Sequence, residues 1–205
     1  MTDTTNGGAP DAERTATGTD WYGREISGET HHRVCFNDLN AVELDNVGTV
    51  FTECTFRGAR FNASTHTDAA FLNCKFIGCN FFDTTFSGCK LAGSLFERCT
   101  FDIMRVSGGN WDLVAMRGAD LRTTTFADLR MREADFDGAN FRESSLRNVD
   151  LLGSSMRGVN FIDCDLRGSE LGSIDPRSSE LRGAVVTPEQ AVVIAQTLGL
   201  DVRAE

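Results

Sequence analysis

The chain has 205 residues and a mass of 22.4 kDa, enough for one ordinary domain or one repeat array. Thirty acidic against twenty basic residues give a net charge of -10 and a pI near 4.8, opposite in sign to what a nucleic acid selects, so direct binding to DNA or RNA is disfavoured. No stretch approaches the ~20 apolar residues of a membrane span, and the N-terminus lacks a basic or apolar targeting segment, so no membrane association and a cytoplasmic location are expected.

The first twenty residues, rich in Thr, Gly and Asp, read as a disordered tail, which sets the expected boundaries at 1–20 for the tail, 21–186 for the folded body and 187–205 for a C-terminal helix and its tail. His31 and His32 stand ahead of any regular pattern and are expected at a surface or an edge, and Cys35 has no assigned role. Val34, Leu39 and Leu44 keep a spacing of five in a frame of their own, which a two-residue offset before Phe51 would reconcile with the longer series that begins there.

From Phe51 to Leu181 every fifth residue is large and apolar, and only His66 and Pro176 interrupt the series of 27 positions. The residue two before each is small, as in Cys54, Ala59, Ser64 and Ala69, with Met104, Leu129 and Ile174 the large exceptions. Two residues after it a turn former recurs, as in Gly58, Gly78, Gly88 and Gly118. A period of five matches neither the 3.6 of an α-helix nor the 2.0 of a strand, so each unit is read as one side of a solenoid, its apolar centre and small residue pointing inward. Four sides close a coil of twenty residues.

After the array, Thr187-Pro188-Glu189-Gln190 combines an N-cap Thr, a Pro at the first helical position and a Gln at the third. A helix is expected over about 188–198, stopped by Gly199, with Ala191, Ile194, Ala195 and Leu198 on one face. One side would cover the open coil, and Val193, Ile194, Leu198 and Leu200 are the candidates for pairing with a second chain.

Candidate chemistry is scarce. No two cysteines are spaced C-x-x-C, and Cys54, Cys74, Cys79, Cys89, Cys99 and Cys164 all occupy the small inward position, where a thiol behaves as a small hydrophobe. With no His or carboxylate ligands expected beside them, neither a metal site nor a cofactor is expected, and His66 and Trp111 read as core residues. A core filled by side chains leaves no place for a nucleophile, base and orienter, so no catalytic residues are assigned and the protein is not expected to be an enzyme.

The units Ala119-Asp120-Leu121, Ala134-Asp135-Phe136, Ala139-Asn140-Phe141 and Val159-Asn160-Phe161 resemble the consensus of the pentapeptide repeat family, a resemblance that covers most of the chain. It implies a right-handed quadrilateral β-helix in which residues twenty apart stack, so Phe61, Phe81, Phe101, Leu121, Phe141 and Phe161 form a core ladder, and about eight coils make a rod of about 40 Å.

Trp21 to Ile26, Phe51 to Phe56, Asn62 to Cys74 with its core His66, Gly93 to Phe96, and Ile174-Asp175-Pro176 ahead of Gln190 are similar to the MfpA and Qnr branch of that family. That branch implies a homodimer joined through its C-terminal ends, resembling duplex DNA, which binds DNA gyrase and confers fluoroquinolone resistance. Duplex DNA of a dimer's length, about 80 Å, would carry roughly 47 charges, against -20 for two chains. Residues 1–50 moreover hold 9 acids and 3 bases, charge expected off the regular coils. Mimicry is therefore expected to rest on Asp150, Asp163, Asp165, Glu170, Asp175 and Glu180 near the dimer seam. The inserted loops that Qnr proteins carry are missing, so protection and inhibition of gyrase both stay open. The alternative is a structural interaction rod with an unrelated partner.

Overall fold

The structure, a computed structural model, describes residues 13–203. The chain winds as a right-handed quadrilateral β-helix whose parallel pairings all step by twenty residues. On the first face, strands Arg14–Thr17, Val34–Asn37, Thr55–Arg57, Lys75–Ile77 and Leu95–Glu97 stack in order. The third face takes one strand from each of seven successive coils, from Glu25–Ser27 to Ser145–Arg147. Strands Thr30–His32, Val50–Thr52 and Ala70–Leu72 begin the fourth. The second is held by single bridges such as Asp20 to Asn40 and Asn40 to Arg60, because its residues turn tightly, with Ser64 N donating to Phe61 O at 3.0 Å.

The corner rule is uniform. Every fifth residue from Gly18 to Gly168 has positive φ, whether it is glycine, Asp or Asn, or a side chain as ill-suited as Ile103 (50°) or Thr123 (62°). Stacking on the coils either side holds these corners against a preference of about 1–2 kcal/mol per residue. Inside, Phe36, Phe56, Phe76 and Phe96 stack in parallel planes 5.1, 5.0 and 4.7 Å apart. Phe61, Phe81, Phe101, Leu121, Phe141 and Phe161 form the second face's column, none more than 2% exposed. Side chains therefore fill the axis, and function is left to the outer faces and the two ends.

Three expectations are corrected at the N-terminal end. Residues expected in a tail already belong to the rod, because Arg14 to Thr17 pair with Val34 to Asn37; the remainder of that tail, 1–12, lies outside the described residues. No offset separates the early frame from the later one. Phe36, Ala41 and Asn46 hold the central position and Val34, Leu39 and Leu44 the position two before it; Phe36 keeps the usual large centre, while in Leu39/Ala41 and Leu44/Asn46 the larger side chain has moved to the position two before it. His31 is therefore a central residue, stacked on Phe51 at 4.9 Å, and Cys35 is an outward, half-buried one.

His66 is fully buried in the third column between Asn46 and Phe86. Ser64 Oγ donates to Phe61 O at 2.6 Å and so offers a lone pair to His66 Nε2–H at 3.1 Å, which leaves Nδ1 to accept from Asn46 Nδ2 at 3.0 Å. Burial lowers the imidazole pKa to about 3, so the ring is neutral.

Candidate functional site: the outer ladders and the C-terminal end

In many units the residue before the central one is the Asp or Asn of the repeat, and the structure gives it a local task. Its side-chain oxygen accepts the N–H two residues on, as in Asn80 from Phe82 (2.9 Å), Asn160 from Ile162 (2.9 Å), Asp150 from Leu152 (3.2 Å) and Asp175 from Arg177 (2.9 Å). This Asx turn uses one oxygen and, where the residue is Asp, leaves the second carboxylate oxygen for other partners.

Arginines occupy many of those second oxygens. Arg132 Nε binds Asp150 and Arg122 binds Asp120, each at 2.6 Å, while Arg130 and Arg157 bind Asp112 and Asp137, which follow the central residue, also at 2.6 Å. Arg167 and Arg147 lie 2.8 and 3.8 Å from Asp165. The Arg157 and Ser155 bonds hold Asp137 well below the usual carboxylate range, and Arg167 does the same for Asp165. At Asp150 burial is the largest influence and acts against ionisation, but the Arg132 bond, the Leu152 N–H and the charges of Arg132 and Arg130 together outweigh it and lower the pKa. Such exposed pairs are worth little to stability, about 0–1 kcal/mol each, so an incoming basic group can exchange with them.

The six acidic candidates do not form one patch. Asp150 and Glu170 stack on the fourth face and, with Arg132 and Leu152, line an open groove of about 410 Å³. Asp165 lies on the third face, Asp175 on the first and Glu180 on the second, with Asp163 at the corner between the second and third. Among the described residues, Asp163, Glu170, Asp175 and Glu180 make no ion pair. Together they ring the C-terminal coils. The charge expected off the coils is largely on them, since residues 13–50 hold seven acids and three bases, net -4, against six and four, net -2, in residues 149–183.

At that end, helix Pro188–Thr197 begins with the full capping box, Thr187 Oγ1 accepting from Gln190 N and Gln190 Oε1 from Thr187 N. Gln190 then does more than the sequence suggested. Its Nε2 donates to Leu166 O at 2.8 Å and Ser169 O at 2.7 Å, closing carbonyls that a further coil would have taken. Ile194 packs on the last coil, whereas Val193, Leu198 and Leu200 are 37%, 42% and 60% exposed beside exposed Val185, Val192 and Val202.

These features define a β-solenoid scaffold with a filled axis, one capped end and polar outer ladders. The chain belongs to the pentapeptide repeat proteins: profiles described as "Pentapeptide repeat region" and "Pentapeptide repeats (8 copies)" match residues 49–126 and residues 114–142 and 130–172. A search of curated proteins gave no match. Among solved structures, the fold is shared with QnrB1, described as a plasmid-mediated fluoroquinolone resistance protein. One trypsin-treated variant of it aligns with TM-score 0.85 at 21% identity over 94% of this chain and 96% of that one, and another with 0.81 at 21% over 93% and 99%. Full-length QnrB1 aligns with 0.65 at 19% over 91% and 98%.

Proposed function

We propose that the protein is a non-enzymatic, DNA-mimicking binder of DNA gyrase, acting as a homodimer joined through its C-terminal ends. It would inhibit the enzyme or protect it from fluoroquinolones or another gyrase poison. The observation that carries this reading is the end-to-end likeness to QnrB1, which spans nearly all of both chains rather than a few repeats. Support also comes from the exposed apolar side chains Val193, Leu198 and Leu200 beside the cap, and from acids that ring the same end. In this reading the basic DNA-binding surface of gyrase replaces the arginines now bound to Asp150 and Asp165, and meets Asp163, Glu170, Asp175 and Glu180 directly.

The test is gyrase-catalysed supercoiling titrated with purified protein, with and without a fluoroquinolone, reading supercoiled product and drug-induced cleaved DNA. Loss of supercoiling identifies inhibition, and fewer cleaved molecules in the presence of drug identify protection. No effect on either, with a matched gyrase and a confirmed dimer, would leave an interaction rod with another partner.

A further inference from the structure

The i−2 slot of the second face holds cysteine in two consecutive coils, Cys79 and Cys99. Thr100 N donates to Cys79 O at 3.0 Å, so the two residues lie on hydrogen-bonded, in-register coils. In such stacking their Cα atoms sit about 4.8 Å apart, inside the window of about 4.4–6.8 Å that a disulfide spans. Cys79 is sealed in the core, but Cys99 is half-buried and opens into a cleft of about 210 Å³ with Phe96, Arg98, Phe101, Arg117 and Asp120. The other stacked pair, Cys54 and Cys74, divides in the same way, with Cys54 lowered to about 7 beside Cys74, but both thiols are buried and neither meets the cleft.

We propose that Cys99 and Cys79 form a reversible dithiol–disulfide site in which Cys99 meets a hydroperoxide in the cleft and Cys79 resolves the product. At rest each thiol donates to the carbonyl 23 residues earlier, Cys79 to Phe56 O and Cys99 to Phe76 O at 3.4 Å each. The neighbouring Cys79 shifts the pKa of Cys99 down, while that same partnership and burial raise that of Cys79. Only Cys99 faces the cleft, so Cys99 is the thiol a peroxide reaches and Cys79 the one that resolves. The Cys99 thiolate attacks one peroxide oxygen, the O–O bond breaks, and alkoxide or hydroxide leaves and takes up a proton. Cys99 is then a sulfenic acid. Cys79 sulfur attacks Cys99 sulfur, the S–O bond breaks, and the departing hydroxide takes the Cys79 proton as water. Two thiols are oxidised by two electrons and the peroxide is reduced to an alcohol or water, in the thiolate-plus-resolving-thiol order that a redox sensor follows.

The experiment treats the folded full chain with hydrogen peroxide and maps cysteines by mass spectrometry without reduction. A Cys79–Cys99 cross-link that dithiothreitol removes is expected, with Cys54 and Cys74 still reduced. In C79S, dimedone is expected to label Cys99 at least tenfold faster than any other cysteine. Serine already fills the equivalent slot at Ser64 and Ser94, so this variant keeps the fold. Oxidation that falls first on another cysteine, or that takes Cys99 of the unsubstituted protein to the sulfinic acid without a cross-link, overturns the proposal.

Discussion

A proton on His66 would place a cation among the rings of Phe61, Phe71 and Phe86, at centroid distances of 5.7, 5.5 and 4.8 Å, and would take away the lone pair that Asn46 uses. The folded pKa of about 3 lies below the ordinary value near 6.5, so the unfolded chain takes up the proton first. The resulting contribution is fully present above about pH 6.5 and is lost as pH falls toward 3, by up to roughly 5 kcal/mol across the window. Urea denaturation between pH 7 and 4 should show that slope. The double variant Asn46→Leu/His66→Phe should flatten it, and an unchanged slope would assign the acid sensitivity elsewhere. Gly109 makes a second test at this scale. A Cβ there would lie 2.0 Å from Cys89 O, a backbone atom that cannot yield, because the coil closes in where Trp111 takes the large share of the space. Gly109→Ala should cost on the order of 2–4 kcal/mol by thermal or chemical denaturation, against about 1–2 kcal/mol for Gly158→Ala, whose Cβ would meet open space and which bears only the cost of its φ of 68°.

Among the elements, the C-terminal helix owes its place to one side chain. Gln190→Ala strips Ser169 O of its side-chain donor, leaves Leu166 O with the Ser169 N–H at 3.1 Å, and removes half of the capping box, so a loss of about 1–3 kcal/mol is expected, with faster amide exchange confined to the last coils. Uniform exchange along the rod would contradict this. The helix is legible in the sequence because Thr187, Pro188 and Gln190 form a local signature. The strands are legible only as a period, since three-residue strands carry no signal of their own and exist because coils twenty residues apart align them. The early coils mislead for the same cause. A rule that expects large residues only at the centre loses its phase where Leu39 and Leu44 sit two places early, and the eye then shifts the frame instead of exchanging the volumes. Acidic residues before the centre suggest a surface for a partner, whereas Asp150 and Asp175 first serve the turn, a role visible only once the N–H two residues on is placed. The inward thiols, small hydrophobes by position, also donate to the carbonyl 23 residues earlier, as Cys89 does to His66 O at 3.2 Å.

At the scale of the whole molecule, the stacked columns make stability a sum of neighbouring coils. If the dimer forms as proposed, Leu198→Asp with Leu200→Asp should halve the mass seen by light scattering while the far-ultraviolet spectrum stays unchanged, because both side chains are exposed and neither fills the core. A persistent dimer would move the interface off the helix.

The unbroken frame from Arg14 onward also makes the rod an angular ruler, in which chain length encodes direction. Removing residues 121–140 takes out one full revolution, so the rod loses about 4.8 Å and every surviving side chain keeps its compass bearing. Removing 136–140 alone takes out a quarter turn. The core grammar still closes, but everything beyond swings to the next bearing, carrying Asp150 and Glu170 off the side they share with Arg130. Both deletions should fold. If the partner reads both ends of one side, activity in the supercoiling assay should survive the twenty-residue deletion better than the five-residue one, an ordering opposite to the amount of chain removed.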